Sequence, residues 1–503
     1  MDAGTPGISK KKYFRYAEDV TALVLSFVTA LLFGVNSPLH PWINGEAYTD
    51  SSVFKTVVLM MERGHMPYRD SFDHKGPLMY ILNWLGNRIA SYRGIWVIEM
   101  IFLTVTFYML YKIARLSCGR VASVVTFFTA STLLFPYFEG GNFTEEYAMP
   151  CIAVAIYVFL DYFLSGYISK KRLIASGMCC GAVLMLRPNM VSVWVVYCLA
   201  ITIVMLVKKE VKEWGGFVMW FLTGVAAVIL PIVIWLLVKK DLSYCVRDYI
   251  LFNMKYSSSE GGRATLSTKW ESFFAFFNTT VYIVAFFSTI FHLKEKKTVH
   301  ISYLIYLVVT IVLMVMSGKA YGHYGMILIP AVVYPISLVF SDIEKIKEEG
   351  PKRALLVVVS LYLISAVIVP NWMPAVEGLP LVYENRKENQ RSEITETIVS
   401  MIDEMTSEDD RISVYGSWDI IYVLSDRAHA TRYSYQFPIG EVMPEIMEEY
   451  IEDLGKELPK VIVVAWGRYD KRIREFLQAN HYVMQYASNS ENLLNSMILF
   501  VKE

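Results

Sequence analysis

The sequence predicts a mainly α-helical, polytopic membrane bundle of about eleven spanning helices, with interfacial helices in its first external loop and a small C-terminal soluble α/β domain. Three observations carry this reading. Of 503 residues, 55% are hydrophobic and only 19% charged, and the mean hydropathy is +0.39. The apolar residues come in blocks, each near the roughly 20 residues that a bilayer core of about 30 Å demands of one helix. From about residue 373 the charge rises, and short apolar runs alternate with amphipathic stretches.

The first apolar run, about 17–36, follows Lys10, Lys11, Lys12 and Arg15. It is longer than a signal-peptide core and no small-residue cleavage site follows it, so it reads as a retained first helix. The expected spans are 17–37, 95–115, 121–137, 147–165, 173–187, 190–207, 215–238, 272–292, 299–316, 324–341 and 353–371. Charge sets their direction. With the N-terminal cluster inside, alternate connections should be basic. They carry Lys112, Arg115 and Arg120; Lys170, Lys171 and Arg172; Lys208, Lys209 and Lys212; Lys294, Lys296 and Lys297; Lys345, Lys347, Lys352 and Arg353. The expected location is the bacterial cytoplasmic membrane, with the N-terminus cytoplasmic and the C-terminal domain outside.

Two external connections are long, about 38–94 and 239–271. In the first, Val53, Val57, Met60 and Met61 share a helical face, and Pro77 opens a second apolar helix over 77–90. Both suit the membrane interface. A spanning helix there would invert every later loop. The domain boundaries are 1–372 for the membrane part and 373–503 for the α/β part. In the latter, 411–415, 460–465, 482–487 and 496–502 read as strands, and 391–405, 441–455 and 470–479 as helices. The six cysteines form no CxxC pair, which argues against a disulfide framework or zinc site. A formal net charge of zero gives no footprint for nucleic acid.

Ionisable groups near membrane helices are costly, so their placement is informative. The external ends hold Glu46, Asp50, Asp70, Asp73, His74 and Lys75; then EGGNFTEEY with Glu139, Asn142, Glu145 and Glu146; then Arg187 and Asn189; then SGKAYGHY with Lys319, Tyr321, His323 and Tyr324. Around an outward-facing cavity these groups would converge. Each has an ordinary structural reading too. Asp50 could cap its helix, Glu145 and Glu146 could answer a helix dipole, and Arg187 could snorkel to headgroups. His323 and Lys319 could be satisfied polar residues. Asp73-His74-Lys75, set against a Gly-Pro corner, is harder to read as structural alone.

These residues resemble a known family. The loop DSSVFKTVVLMMERGHMPYRDSFDHKGPL from Asp50 is similar to the first external loop of bacterial polytopic membrane glycosyltransferases of the C-type fold. These use polyprenyl-phosphate sugars and are related to protein O-mannosyltransferases and lipid A aminoarabinose transferases. GNFTEEYAMP from Gly141, RPN from Arg187, GKAYGHYGMILIP from Gly318 and VYGSWDIIYVLSDRAHATRY from Val414 extend the likeness over most of the chain. The resemblance implies an active site at the outer membrane face and a lipid-linked sugar donor with its tail in the bilayer. It makes Asp50 the general base for an acceptor hydroxyl. Relatives often pair this acid with an adjacent one; here Thr49 precedes it and Glu46 lies four residues back. Lys75 would face the donor phosphate, with Arg187, Lys319 and His323 as further phosphate contacts. Glu145 or Glu146 would supply a second catalytic carboxylate. Asp73, His74, Asn142, Tyr321 and Tyr324 would orient acceptor or sugar.

The chemistry needs one proton removed and one leaving phosphate stabilised. No cofactor is demanded. Asp50 and the paired glutamates could hold a divalent metal (Mg or Mn), although no ligand spacing calls for one. Expected partners are the lipid-linked sugar donor, membrane lipids and a cell-envelope polysaccharide, lipid or protein acceptor. The rival readings are a transporter or flippase of lipid-linked saccharides, a polymerase of such units, and a non-catalytic binding protein. The soluble domain would bind acceptor, recruit a partner or cover the cavity.

Overall fold

The computed structural model describes residues 10–35, 37–41, 49–91, 93–258, 265–277, 279–316, 318–384 and 391–503. Its first four helices are α1 (Lys10–Gly34), α2 (Thr49–Glu62), α3 (Pro77–Ala90) and α4 (Ile95–Ala114). Among the described residues, seven helices are long and apolar enough to cross a membrane, or eight if one bent pair is a single span. Three more of the eleven expected spans are helical but shorter: Arg120–Thr132, Lys170–Leu184 and Ser192–Val207.

One expected span is broken. Residues 272–292 fall on Leu266–Phe276 and a helix from Thr280, which meet at 97°. The break has a local cause: Thr279 is extended, and its hydroxyl accepts from the Val281 amide at 3.1 Å, which starts a new helix. The composition boundary at 373 also falls inside a helix, since helical structure runs from Glu349 to Glu384 through a π-turn at Leu363–Ile368.

Helix ends sort into two groups. At one end Glu18 binds Arg115 and Arg120, Asp19 binds Lys112, and the Glu344 carboxylate accepts from the Gly119 amide. These are the basic connections. At the other end lie α2, α3 and the C-terminal domain. That domain has a five-stranded sheet of β1 (Arg411–Tyr415), β2 (Ala428–His429), β3 (Val461–Val464), β4 (Tyr482–Ala487) and β5 (Ile498–Lys502). The order is β2-β1-β3-β5-β4, parallel through β2, β1 and β3 and antiparallel at β5 and β4. Strand β3 and all of β1 but Arg411 are buried, which explains their unbroken apolar runs.

The position of α2 decides the rest. Expected to lie in the interface with one apolar face, it is covered on both sides, and residues 51–58 are all buried. Phe54 and Val57 join the core of the helical bundle, whereas Val53 joins Phe72, Phe252 and Tyr433 in the core beneath the sheet. Each such side chain contributes roughly 1.5–3 kcal/mol by leaving water. The C-terminal domain is therefore fastened over α2, and Phe72 closes the contact by donating its amide to the Arg432 carbonyl at 2.8 Å. Helix α3 still turns Leu85 and Ile89 outward, as an interfacial helix should.

Candidate active site

The site is built on the turn Asp73-His74-Lys75-Gly76-Pro77. Pro77 opens α3, where its missing amide costs nothing. Gly76 donates to the Leu186 carbonyl at 3.0 Å, and Leu78 donates to Met185 at 3.0 Å. A Cβ at Gly76 would overlap the Met185 carbonyl oxygen, so only glycine allows this approach. The contact draws Lys75 up to Arg187 from a distant part of the chain.

Lys75 Nζ lies 3.7 Å from Asp50 Oδ2 and 3.1 Å from His74 Nε2. Asp50 sits inside the first turn of α2, not before it as a cap, where the helix dipole still favours its charge. Its side chain is 37% exposed, against 16% for Lys75. Burial works to lower the Lys75 pKa, but the Asp50 and Asp73 carboxylates outweigh it and hold the ammonium charged. His74 is pushed well below its ordinary value by burial and by the charges of Lys75, Arg187 and Lys319. A neutral imidazole then accepts at Nε2 from Lys75 and carries its proton on Nδ1. That nitrogen is 3.3 Å from the Tyr435 hydroxyl, which donates to Asp73 Oδ1 at 2.9 Å. Asp73 also accepts from Tyr80 at 2.8 Å and from the His74 amide at 2.7 Å. Three donors use its two oxygens, so Asp73 braces the turn.

Across the turn, Arg187 bonds to Glu145 and stacks 4.2 Å above the Tyr324 ring. Glu145 is buried in the first turn of the helix Thr144–Ser165. One guanidinium carries five N–H donors, so this pairing leaves several for an anion. Lys319 Nζ donates to the Tyr256 hydroxyl at 2.6 Å and lies 4.5 Å from that ring. The Tyr256 ring in turn stacks 6.2 Å from His74. Lys75, Arg187 and Lys319 thus gather around one imidazole, with Asp50 at the edge.

The other expected residues stand apart. Glu146 faces away from Arg187; its Oε2 accepts from the Asn142 amide at 2.7 Å. Asn142, at φ 61°, donates to Ser51 at 2.8 Å and to Asn83 at 2.9 Å. The pair therefore ties down the start of α2 from behind, and Glu146 is removed from the position of a catalytic acid. His323 binds Glu139 at 2.9 Å and stacks on Phe143 at 4.3 Å, reaching the cationic group through the rings of Tyr324 and Tyr321. Tyr321 is 45% exposed beside Lys319. Asp70 pairs with Arg69 and Asn189 is exposed on its turn. Glu46 lies outside the described residues.

Sequence reasoning missed several contributors. Asn253 donates to the His74 carbonyl at 2.7 Å, and Phe252 and Tyr256 flank that imidazole. All three come from the connection 239–271, read as a loop, which holds the helix Phe252–Ser258; the i, i+4 spacing of Phe252 and Tyr256 was the available signal. Tyr80 sits one turn into α3. Tyr435 comes from the soluble domain, and no spacing in the sequence points to it.

Among the described residues the donor set does not fit a divalent metal. Asp50 faces Lys75, Glu145 is engaged by Arg187, and Glu146 points elsewhere. Among the described residues no group of three or more His, Cys, Asp or Glu side chains is disposed to hold one.

A family model described as "Putative competence-induced protein Ccs4 N-terminal domain" matches residues 10–357. No curated protein matches the sequence. Solved structures that share the fold include ArnT from Cupriavidus metallidurans bound to undecaprenyl phosphate, at 11% identity and a TM-score of 0.59, covering 96% of this chain and 97% of that one. The archaeal oligosaccharyltransferase AglB from Archaeoglobus fulgidus, in complex with an inhibitory peptide and a dolichol-phosphate, is 12% identical. It has a TM-score of 0.51 and covers 98% of this chain and 77% of that one. Both are membrane glycosyltransferases of the GT-C fold, the superfamily that the motifs resemble.

Proposed function

Because the chain belongs to the Ccs4 N-terminal domain family, whose description names no reaction, we propose its function from the site: a membrane glycosyltransferase that moves a sugar from a polyprenyl-phosphate donor to an acceptor hydroxyl. The single observation that carries this is a partly exposed carboxylate, Asp50, 3.7 Å from Lys75, with Arg187 and Lys319 close behind. A base and a phosphate-sized cationic cluster side by side are what glycosyl transfer from a lipid phosphate requires. The lipid phosphates bound in the two GT-C structures, undecaprenyl phosphate and dolichol-phosphate, support the donor class.

In this reading Asp50 takes the proton of the acceptor hydroxyl as its oxygen bonds to the anomeric carbon. The bond from that carbon to the phosphate oxygen breaks, and the phosphate leaves with the electron pair. Lys75, Arg187 and Lys319 hold the charge that develops there, in a site with little water to screen it. A single displacement inverts the anomeric centre. Glu145 fixes the guanidinium plane of Arg187, and Tyr324 supports it from below. The donor tail lies in the bilayer; the site and the C-terminal domain face the outside of a bacterial cytoplasmic membrane, where a cell-envelope acceptor is reached. The test is the mass of product formed by the purified chain from a panel of polyprenyl-phosphate sugars and envelope acceptors. Absence of any sugar-bearing product, and of any free polyprenyl phosphate, contradicts the proposal.

A further inference from the structure

The helix Ile420–Ser425 of the C-terminal domain rests on α2, and Thr56 donates its hydroxyl to the Asp419 carbonyl at 3.2 Å. Just before that helix come two residues that the reaction above does not use. Asp419 is 1% exposed, and its Oδ1 has no hydrogen-bond partner. Trp418 is half-buried, and its indole nitrogen is likewise enclosed without a partner. An enclosed acceptor and an enclosed donor left unsatisfied on consecutive residues are costly to keep. A saccharide, with several hydroxyls that each donate and accept, is complementary to both.

The surroundings narrow the choice. Trp418 meets Trp466 edge to face at 4.6 Å, and both pack, as Leu59 of α2 does, against the buried cluster of Ile412, Val414 and Ile421. Aromatic faces beside a carboxylate suit the C–H and O–H surfaces of a saccharide. Asp419 is also near the reaction. The charges of Asp73 and Asp50 both act on it, and the Tyr435 hydroxyl feels all three carboxylates. A phosphate held at Lys75 carries its sugar next to the consecutive residue pair Asp73 and His74, on which Tyr435 closes. Resting on the glycosyl-transfer reading, we infer that Asp419 and Trp418 form the donor-sugar subsite, and that the C-terminal domain thereby selects the sugar while the membrane domain holds the phosphate. Hydroxyls of the sugar donate to Asp419 Oδ1 and accept from the Trp418 indole.

The experiment compares two lipids on the purified full-length chain. Binding of undecaprenyl phosphate and of undecaprenyl-phosphoryl glucose, galactose and arabinose is measured by native mass spectrometry. The wild type should bind at least one sugar-bearing lipid about tenfold more tightly than the bare phosphate, the upper end of what one hydrogen bond contributes. Asp419→Ala should bring that ratio to within about twofold of unity and leave the Kd for bare undecaprenyl phosphate unchanged. Trp418→Phe keeps the ring and removes the N–H, so it should lower the ratio by several-fold, and it serves if Asp419→Ala does not fold. A ratio retained in the variants, or a wild type that binds both lipid classes equally, overturns the sugar subsite and leaves the phosphate site standing. A wild type that binds neither lipid overturns both.

Discussion

The backbone amide of Gly76 donates to the carbonyl of Leu186 at 3.0 Å, and this contact, with the bond from Leu78 to Met185, joins the first external loop to the turn that carries Arg187. Without it, Lys75 and Arg187 belong to separate stretches of chain more than a hundred residues apart. Gly76→Ala should push the turn off the Met185 carbonyl, because the added methyl has backbone and not a flexible side chain to displace. Overpacking of this kind costs about 1–3 kcal/mol. Thermal unfolding of the purified variant should register that loss, and donor binding should weaken by at least tenfold as the two cations separate.

Arg187 is expected to matter twice. It neutralises Glu145, whose side chain is 3% exposed, and it offers its remaining N–H groups to a phosphate. Arg187→Met strands a buried carboxylate, a change that costs about 3–5 kcal/mol in comparable pairs. The double variant Arg187→Met with Glu145→Gln should recover much of the stability and none of the donor affinity. Calorimetry for the first property and lipid titration for the second separate the structural role from the binding role. Recovery of both together would remove Arg187 from the phosphate site.

Stability should also depend on pH through Asp419. Burial raises its carboxyl from 3.8 to about 7. Between those values the folded protein holds a proton that the unfolded chain has released, so stability falls as pH rises through that window. The melting temperature should therefore be higher at pH 5 than at pH 8, by several degrees. Asp419→Asn, which cannot ionise, should flatten the slope without abolishing it, because burial raises Asp73 in the same direction. A slope unchanged in that variant would show that Asp419 is not the group responsible.

Much of this architecture was legible in the sequence, for physical reasons. Helix α3 starts at Pro77, where the missing amide suits a helix N-terminus, and all four longer strands of the C-terminal domain fell on expected apolar runs. That charges at separate outer helix ends converge followed from the cost of leaving them near a membrane; Asp50, Lys75 and Arg187 were singled out among them by the family resemblance. What the sequence hid were relations that depend on packing. Glu145 and Glu146 are adjacent and chemically alike, yet helical geometry turns one toward Arg187 and the other toward Asn142. Tyr435 reaches Asp73 across the domain contact, 362 residues away, and no local pattern encodes that. The break before Thr280 was masked because both flanking helices are apolar, so hydropathy reads through it.

The central claim is that Asp50 removes the acceptor proton while Lys75, Arg187 and Lys319 hold the leaving phosphate. Asp50→Asn tests it most directly, since the amide keeps the shape of the side chain and cannot accept the proton. Measured by product mass on purified protein with a competent donor, sugar transfer by this variant should fall at least about a thousandfold, a loss within the range of general base catalysis. Its melting temperature should stay within a few degrees of the wild type, and the donor should still bind. Transfer at the wild-type rate by a folded, donor-bound Asp50→Asn protein would contradict the account.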